Sequence, residues 1–91
     1  MSTISQEDVL EEILEDNEDP KNLIVFNDDF NTFEHVTNTL IKICKHEATQ
    51  AEQCTYIIHY KGKCVVRNGS YRTLKPMREG ISEAGIKAAI K

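Results

Sequence analysis

The first feature of the chain is the order in which short apolar runs and amphipathic stretches follow one another. A run rich in β-branched residues predicts a buried strand over residues 22–27. Apolar residues at helical spacing then predict a helix over 32–45 and a second helix that ends near Gly62. A strand at 63–67, a third helix ending at Gly85 and a strand at 86–90 complete the order β-α-α-β-α-β. This order predicts a small α+β domain.

Polar residues at the predicted helix starts give provisional boundaries. Asn31 with Glu34 resembles a capping box for the first helix, and Thr49 with Glu52 does so for the second. Thr73 is the expected cap of the third helix, because Pro76 would then fall in the first turn, where no backbone donor is needed. Asn68 and Gly69 predict a turn after the second strand.

Charge divides the chain into two parts. Residues 1–20 carry eight acidic and no basic side chains, a net charge of −8, whereas the remaining 71 residues carry 11 basic and 7 acidic side chains, a net charge of +4. We therefore expect an acidic, flexible N-terminal extension over residues 1–20 and one domain over residues 21–91. A cluster of apolar residues in the extension leaves a second possibility, a segment that becomes helical on a partner: Val9, Leu10, Ile13 and Leu14.

The cysteines and the hydropathy pattern bear on the compartment. Cys44, Cys54 and Cys64 are odd in number, lack C-x-x-C spacing and lie in apolar patterns, so we expect small buried side chains in a reducing environment. No apolar run approaches the length of a membrane span, and no secretory leader is expected. These features predict a cytoplasmic protein that has no membrane partner.

The candidate chemistry lies at the end of the first strand. Asn27 and Asp28 follow the apolar run directly, and their side chains are mainly hydrogen-bond acceptors, so the expected ligand is cationic or a donor. His59 lies in an apolar stretch, where a histidine that simply packs and forms hydrogen bonds is the alternative to a functional one. His35 and His46 are expected on helix surfaces.

Other kinds of site fit the sequence less well. Adjacent carboxylates point apart in an extended segment, so Asp28 and Asp29 form a poor acid–base pair. No histidine or cysteine pair has the spacing of a metal site, and nothing pairs a cysteine with a histidine for nucleophilic catalysis. The acidic net charge disfavours nucleic acid. We therefore expect no catalytic residue, no metal and no cofactor.

Two motifs carry a family resemblance. The segment Leu-Ile-Val-Phe-Asn-Asp-Asp-Phe at 23–30 and the segment His-Tyr-Lys-Gly-Lys at 59–63 resemble the ClpS family, which comprises adaptors of the bacterial Clp protease. The resemblance covers about residues 21–91. It implies a three-stranded antiparallel sheet packed with three helices, and an acidic N-terminal extension of variable sequence.

The resemblance also implies a binding site for the N-terminal residue of a substrate. Asn27, Asp28 and His59 would hold the free α-amino group. An apolar pocket for Leu, Phe, Tyr or Trp would be lined by Asn31, Phe33, Val36, Thr55, Ile58 and Ile86.

Several positions differ from the family pattern. Asn31 and Thr32 replace a threonine and a proline, Phe33 replaces a gating methionine, and Thr55 replaces a methionine on the second helix. We expect Phe33 to narrow the mouth of the pocket, and Thr55 to make its floor wider and more polar.

The sequence thus predicts a non-enzymatic adaptor for N-end rule substrates. It would bind bulky apolar N-terminal residues of proteins and deliver these proteins to the N-terminal domain of a Clp-family AAA+ unfoldase, ClpA-like or ClpC-like. The alternative is a general protein–protein interaction domain of the same fold that does not bind such N-degrons.

Overall fold

The computed structural model describes residues 19–91, so the predicted extension falls almost entirely outside the described residues. Three strands and three helices occur in this part of the chain, in the predicted order β-α-α-β-α-β. The elements are β1 (Lys21–Phe26), α1 (Phe33–Cys44), α2 (Ala48–Lys61), β2 (Lys63–Gly69), α3 (Tyr71–Glu83) and β3 (Ala88–Ile90). The α+β prediction is confirmed.

The first strand in the chain is the central strand of the sheet. The strand order is β2-β1-β3, and both neighbours run antiparallel to β1. The register between β1 and β2 shifts between Leu23 and Ile24, which is the position of a β-bulge. Because β1 is paired on both sides, the residues that follow it leave the sheet at its centre.

One face of the sheet is covered by the helices. Leu23 and Val25 on β1 are fully buried, and Val66 on β2 is nearly so, whereas Ile24 between them is only partly buried. This alternation is the pattern of an antiparallel sheet with one face toward the core. The core continues into the helices through fully or almost fully buried apolar side chains, among them Leu40, Ala51, Ile58, Leu74 and Ile81.

The helix starts differ in detail from those expected. Thr32, not Asn31, caps α1, and its hydroxyl accepts a hydrogen bond from the backbone N–H of His35. The N-cap of α2 is Glu47, one residue before the helix, and Thr49 lies inside the first turn. Neighbouring polar residues can each satisfy the first free N–H groups, so spacing alone does not choose between them.

The third helix begins earlier than predicted. Ser70 is its N-cap and accepts from the backbone N–H of Thr73, so Thr73 is a first-turn residue and Pro76 lies beyond the first turn. Pro76 is exposed, which places the missing backbone donor on the solvent side of the helix. The predicted turn at Asn68 is also wrong, since β2 continues to Gly69.

The position of His46 also differs from the expectation. It lies after α1 rather than on a helix surface and is only 4% exposed. Its Nε2 lies 2.7 Å from the carbonyl oxygen of Val66, so Nε2 carries the hydrogen and donates it. The imidazole thereby ties the α1–α2 connection to β2. The cysteines agree better with expectation: Cys44 is buried, Cys54 and Cys64 are partly buried, and all three are free thiols.

Gly62 ends α2 with a φ of 88°, in the left-handed region that glycine adopts without strain. Replacing Gly62 by Ala should lower the free energy of unfolding by about 1–2 kcal/mol, because a Cβ is strained at this φ. Gly69→Ala is the control, since the nearest side-chain atom to a Cβ there would be 4.0 Å away. Urea unfolding of both variants measures the difference, and equal losses would contradict a conformational role for Gly62.

Candidate functional site

The first part of the site is the junction between the end of β1 and the end of α2. The backbone N–H of Asn27 donates to the carbonyl of Gly62 at 2.9 Å, which fixes the two chain segments against each other. The side chains then meet: His59 Nδ1 and Asn27 Oδ1 lie 3.1 Å apart. An amide oxygen can only accept, so Nδ1 carries the hydrogen and the second ring nitrogen, Nε2, is left with a lone pair.

Asp28 is held by its own loop. Its Oδ1 accepts from the backbone N–H groups of Phe30 at 2.8 Å and Asn31 at 2.7 Å, and its Oδ2 accepts from the side-chain amide of Asn31. These bonds form because Asp readily accepts from backbone donors two and three residues ahead in a turn. The carboxylate is therefore fixed within its own loop, next to Asn27 in the chain, with its oxygens engaged by three donors.

The hydrogen bonds also set the charge state of Asp28. The backbone N–H of Asn31 contributes most, followed by the side-chain amide of Asn31 and the backbone N–H of Phe30, and together they hold the pKa of Asp28 below its ordinary value. At neutral pH the residue is a carboxylate that keeps its negative charge.

An aromatic cluster borders the imidazole through Phe33. The ring of Phe33 lies 5.6 Å from the ring of His59 and 4.8 Å from that of Tyr56, measured between ring centres. Tyr56 and Tyr60 stack one helical turn apart on α2, and Tyr60 is 84% exposed. Sequence reasoning did not assign these tyrosines to the site, although their i, i+4 spacing around His59 on a helix places them on one face.

The other predicted pocket residues lie deeper. Val36, Thr55, Ile58 and Ile86 are each at most 4% exposed, whereas Asn31 and Phe33 are partly exposed. The buried group belongs to the same layer as the domain core. The hydroxyl of Thr55 donates to the carbonyl of Ala51 and accepts from the hydroxyl of Thr37, so its polar atom is used inside the protein.

Two side chains, one just before α1 and one in its first turn, contact the turn between α3 and β3. Asn31 donates to the carbonyl of Gly85 at 2.9 Å, and His35 Nε2 donates to the carbonyl of Ala84 at 2.8 Å. His35 does lie on the exposed side of its helix, as expected, but this partner could not be predicted because 49 positions separate His35 from Ala84.

Residues 19–91 offer neither a metal site nor a membrane-spanning helix. Within residues 19–91, no cluster of three or more histidine, cysteine or acidic side chains has an arrangement that could hold a metal ion. None of the helices described between Phe33 and Glu83 has the length and apolar character needed to cross a bilayer.

Comparison with known proteins identifies the family. The model of the family described as "ATP-dependent Clp protease adaptor protein ClpS" matches residues 16–88. The chain belongs to the ClpS family. The chain is therefore an adaptor of a Clp protease, and the adaptors of this family are not enzymes. The motifs at 23–30 and 59–63 identified the family correctly.

Curated ClpS relatives agree with this assignment. The ClpS adapter protein of Thermosynechococcus vestitus is 37% identical over 68 residues, which are 74% of this chain and 72% of that protein. The ClpS adapter protein of a Nostoc species is 35% identical over 68 residues, 74% of this chain and 70% of the relative.

A solved structure supports the fold. ClpS2 of Agrobacterium tumefaciens, bound to L-phenylalaninamide, superposes with a TM-score of 0.73 and 19% sequence identity, covering 79% of this chain and 94% of that one. At this identity the likeness concerns the fold, a three-stranded antiparallel sheet with three helices.

The depressed pKa of Asp28 has a consequence for stability. A carboxyl whose pKa is lower in the folded than in the unfolded state stabilises the fold above its unfolded pKa, and this contribution is lost as the pH falls through the folded pKa. The difference in unfolding free energy between wild type and Asp28→Asn should therefore shrink between about pH 6 and about pH 2. Urea unfolding across this range measures it. Asp29→Asn, at the exposed neighbouring position, is the control, and a difference that stays constant for Asp28→Asn would contradict the hydrogen-bonded loop.

Proposed function

We propose that this adaptor binds the free N-terminal residue of its substrates and delivers them to the N-terminal domain of a ClpA-like or ClpC-like AAA+ unfoldase. The observation that carries the proposal is the contact between Asn27 and His59 at the end of the central strand. This contact gathers acceptor groups at one point of the surface and leaves the imidazole with a lone pair for a donor.

The acceptors suit an α-ammonium group. An ammonium offers three hydrogens, and the available acceptors are the Nε2 of His59, the amide oxygen of Asn27 and the carboxylate of Asp28. The carboxylate stays ionised because its pKa is depressed, so it adds charge attraction to the hydrogen bonds. Capture of a peptide amine by such a group is a recurrent mode of recognition.

An apolar side chain has surfaces to contact next to these acceptors. Phe33 borders His59, and Val36, Ile58 and Ile86 are buried apolar side chains of the core. We propose that the substrate's first side chain enters past Phe33, the partly exposed member of the group, and contacts this layer. Burial of one large apolar side chain contributes about 1.5–3 kcal/mol.

The ligand of the structural relative supports the same chemistry. The ClpS2 structure was obtained with L-phenylalaninamide, a small molecule with a free α-amino group and a benzyl side chain. We extend this to the present chain as a preference for Leu, Phe, Tyr or Trp at the first position. We also place the adaptor in the cytoplasm, in keeping with its three free cysteines.

A peptide series tests the proposal against an interaction domain that has the same fold but does not bind N-degrons. Peptides that differ only in the first residue should bind when it is Leu, Phe, Tyr or Trp and bind much more weakly when it is Ser or Glu. N-acetylated copies should not bind, because acetylation removes the ammonium charge. Fluorescence anisotropy measures each affinity. Equal binding of free and acetylated Phe peptides would exclude amine recognition and favour the alternative.

Substitutions at the rim separate charge from loop structure. Asp28→Ala should lose about 1.5–3 kcal/mol of peptide affinity, since it removes an ionised acceptor. Asp28→Asn keeps an oxygen that accepts from the loop N–H groups but has no charge, so it should lose most of the same affinity with less effect on stability. Asn27→Ala and His59→Ala should each weaken binding. If Asp28→Asn bound as tightly as wild type, the carboxylate would be a loop residue only.

We propose that residues 1–20 are a separate extension that serves delivery, while residues 21–91 bind the substrate. Deleting residues 1–18 should leave peptide affinity nearly unchanged and abolish degradation of a substrate by the reconstituted unfoldase and protease. Affinity is measured by anisotropy and delivery by loss of a fluorescent substrate. A tenfold loss of peptide affinity in the deletion variant would assign the extension to the binding site instead.

A further inference from the structure

Asn31 occupies a position between the two halves of the proposed site. Its side-chain amide has two hydrogens, and both are used: one goes to Oδ2 of Asp28 and the other to the carbonyl of Gly85. Its backbone N–H goes to the other oxygen of Asp28. One residue therefore contacts both the amine-binding carboxylate and the turn that leads into β3.

The turn held by Asn31 carries part of the proposed apolar wall. Gly85 has a φ of 83°, and the next residue, Ile86, is 2% exposed in the core. The preceding carbonyl, that of Ala84, accepts from His35 Nε2 at 2.8 Å. Two consecutive carbonyls of the turn are thus held by side chains from one segment, residues 31–35.

We infer that Asn31 is a positioning residue that sets the Asp28 carboxylate and the Ile86 wall relative to each other, with His35 as the second hold on the wall. The inference rests on the proposed function for its effect on binding, but its structural part stands without any ligand. A residue with a single hydroxyl, such as threonine, could not donate to both partners.

Because Asn31 contacts both parts of the proposed site, recognition of the peptide's amine and recognition of its first side chain should change together when Asn31 is replaced. In Asn31→Leu, which keeps the branched shape of the side chain but loses both donors, the carboxylate loses a hydrogen bond and the wall loses one of its two contacts with residues 31–35. Affinity for a Leu-starting peptide should fall about three- to tenfold, as expected for one or two lost hydrogen bonds. The ratio of affinities for Leu- and Trp-starting peptides should also change about threefold or more, because the wall contacts the side chain.

His35→Ala separates the two effects. It releases the Ala84 carbonyl and removes the weak Coulombic attraction of His35 for Asp28, but it leaves every hydrogen bond of Asp28 in place. The Leu-to-Trp ratio should therefore change, whereas the affinity for a Leu-starting peptide should fall less than in Asn31→Leu. Asn38→Leu is the matched control, because Asn38 is an exposed asparagine on the same helix. It should alter neither quantity.

The deciding experiment is an NMR titration of the side-chain carboxyl of Asp28 in the full chain without peptide, combined with the peptide affinities. In Asn31→Leu the pKa of Asp28 should rise relative to wild type, and in Asn38→Leu it should not. The inference is overturned if this pKa is unchanged in Asn31→Leu, or if all peptides lose affinity by one common factor. If the pKa of Asp28 rises in Asn31→Leu but the wild-type protein binds none of the peptides, the structural link is upheld and the proposed function is rejected. The two failures are therefore distinguishable.

Discussion

The hydrogen bond from the backbone N–H of Asn27 to the carbonyl of Gly62 is the constraint on which the site depends. It joins the end of the central strand to the end of α2, so Asn27 and His59, 32 positions apart along the chain, share one small surface. Gly62 can serve because it adopts a left-handed conformation that reverses the chain from α2 into β2. Without this junction the imidazole of His59 and the side-chain amide of Asn27 would not be brought together.

The site combines two environments that have opposite physical requirements. The proposed amine-binding rim needs acceptors that stay charged, and Asp28 meets this need through donors in its own loop. The proposed apolar wall needs dry surface, and the helix layer offers it through side chains shared with the core. Because Thr55 already uses its hydroxyl on Ala51 and Thr37, the polar floor expected from the sequence is not available to a ligand.

Element order and the family could be predicted because each depends on local patterns. The switch from β-branched runs to helical spacing gave all six elements, and the two short motifs gave the family. Details that depend on distant partners could not be predicted. His46 looks like a surface residue until the carbonyl of Val66 is known to face it, and Asn31 looks like a cap until Gly85 is known to lie beside it. Competition between Ser70 and Thr73 for the start of α3 was likewise undecidable from spacing.

The bulge between Leu23 and Ile24 has a consequence for the protein in concentrated solution. Both outer strands of the described sheet carry unpaired backbone groups, and such edges can recruit further chains into a growing sheet. The bulge twists the ladder that includes β2, while β3 is three residues long, so neither edge is both long and flat. Lys63 and Arg67 add positive charge along the β2 edge. These features disfavour edge-to-edge pairing of sheets between copies of the adaptor.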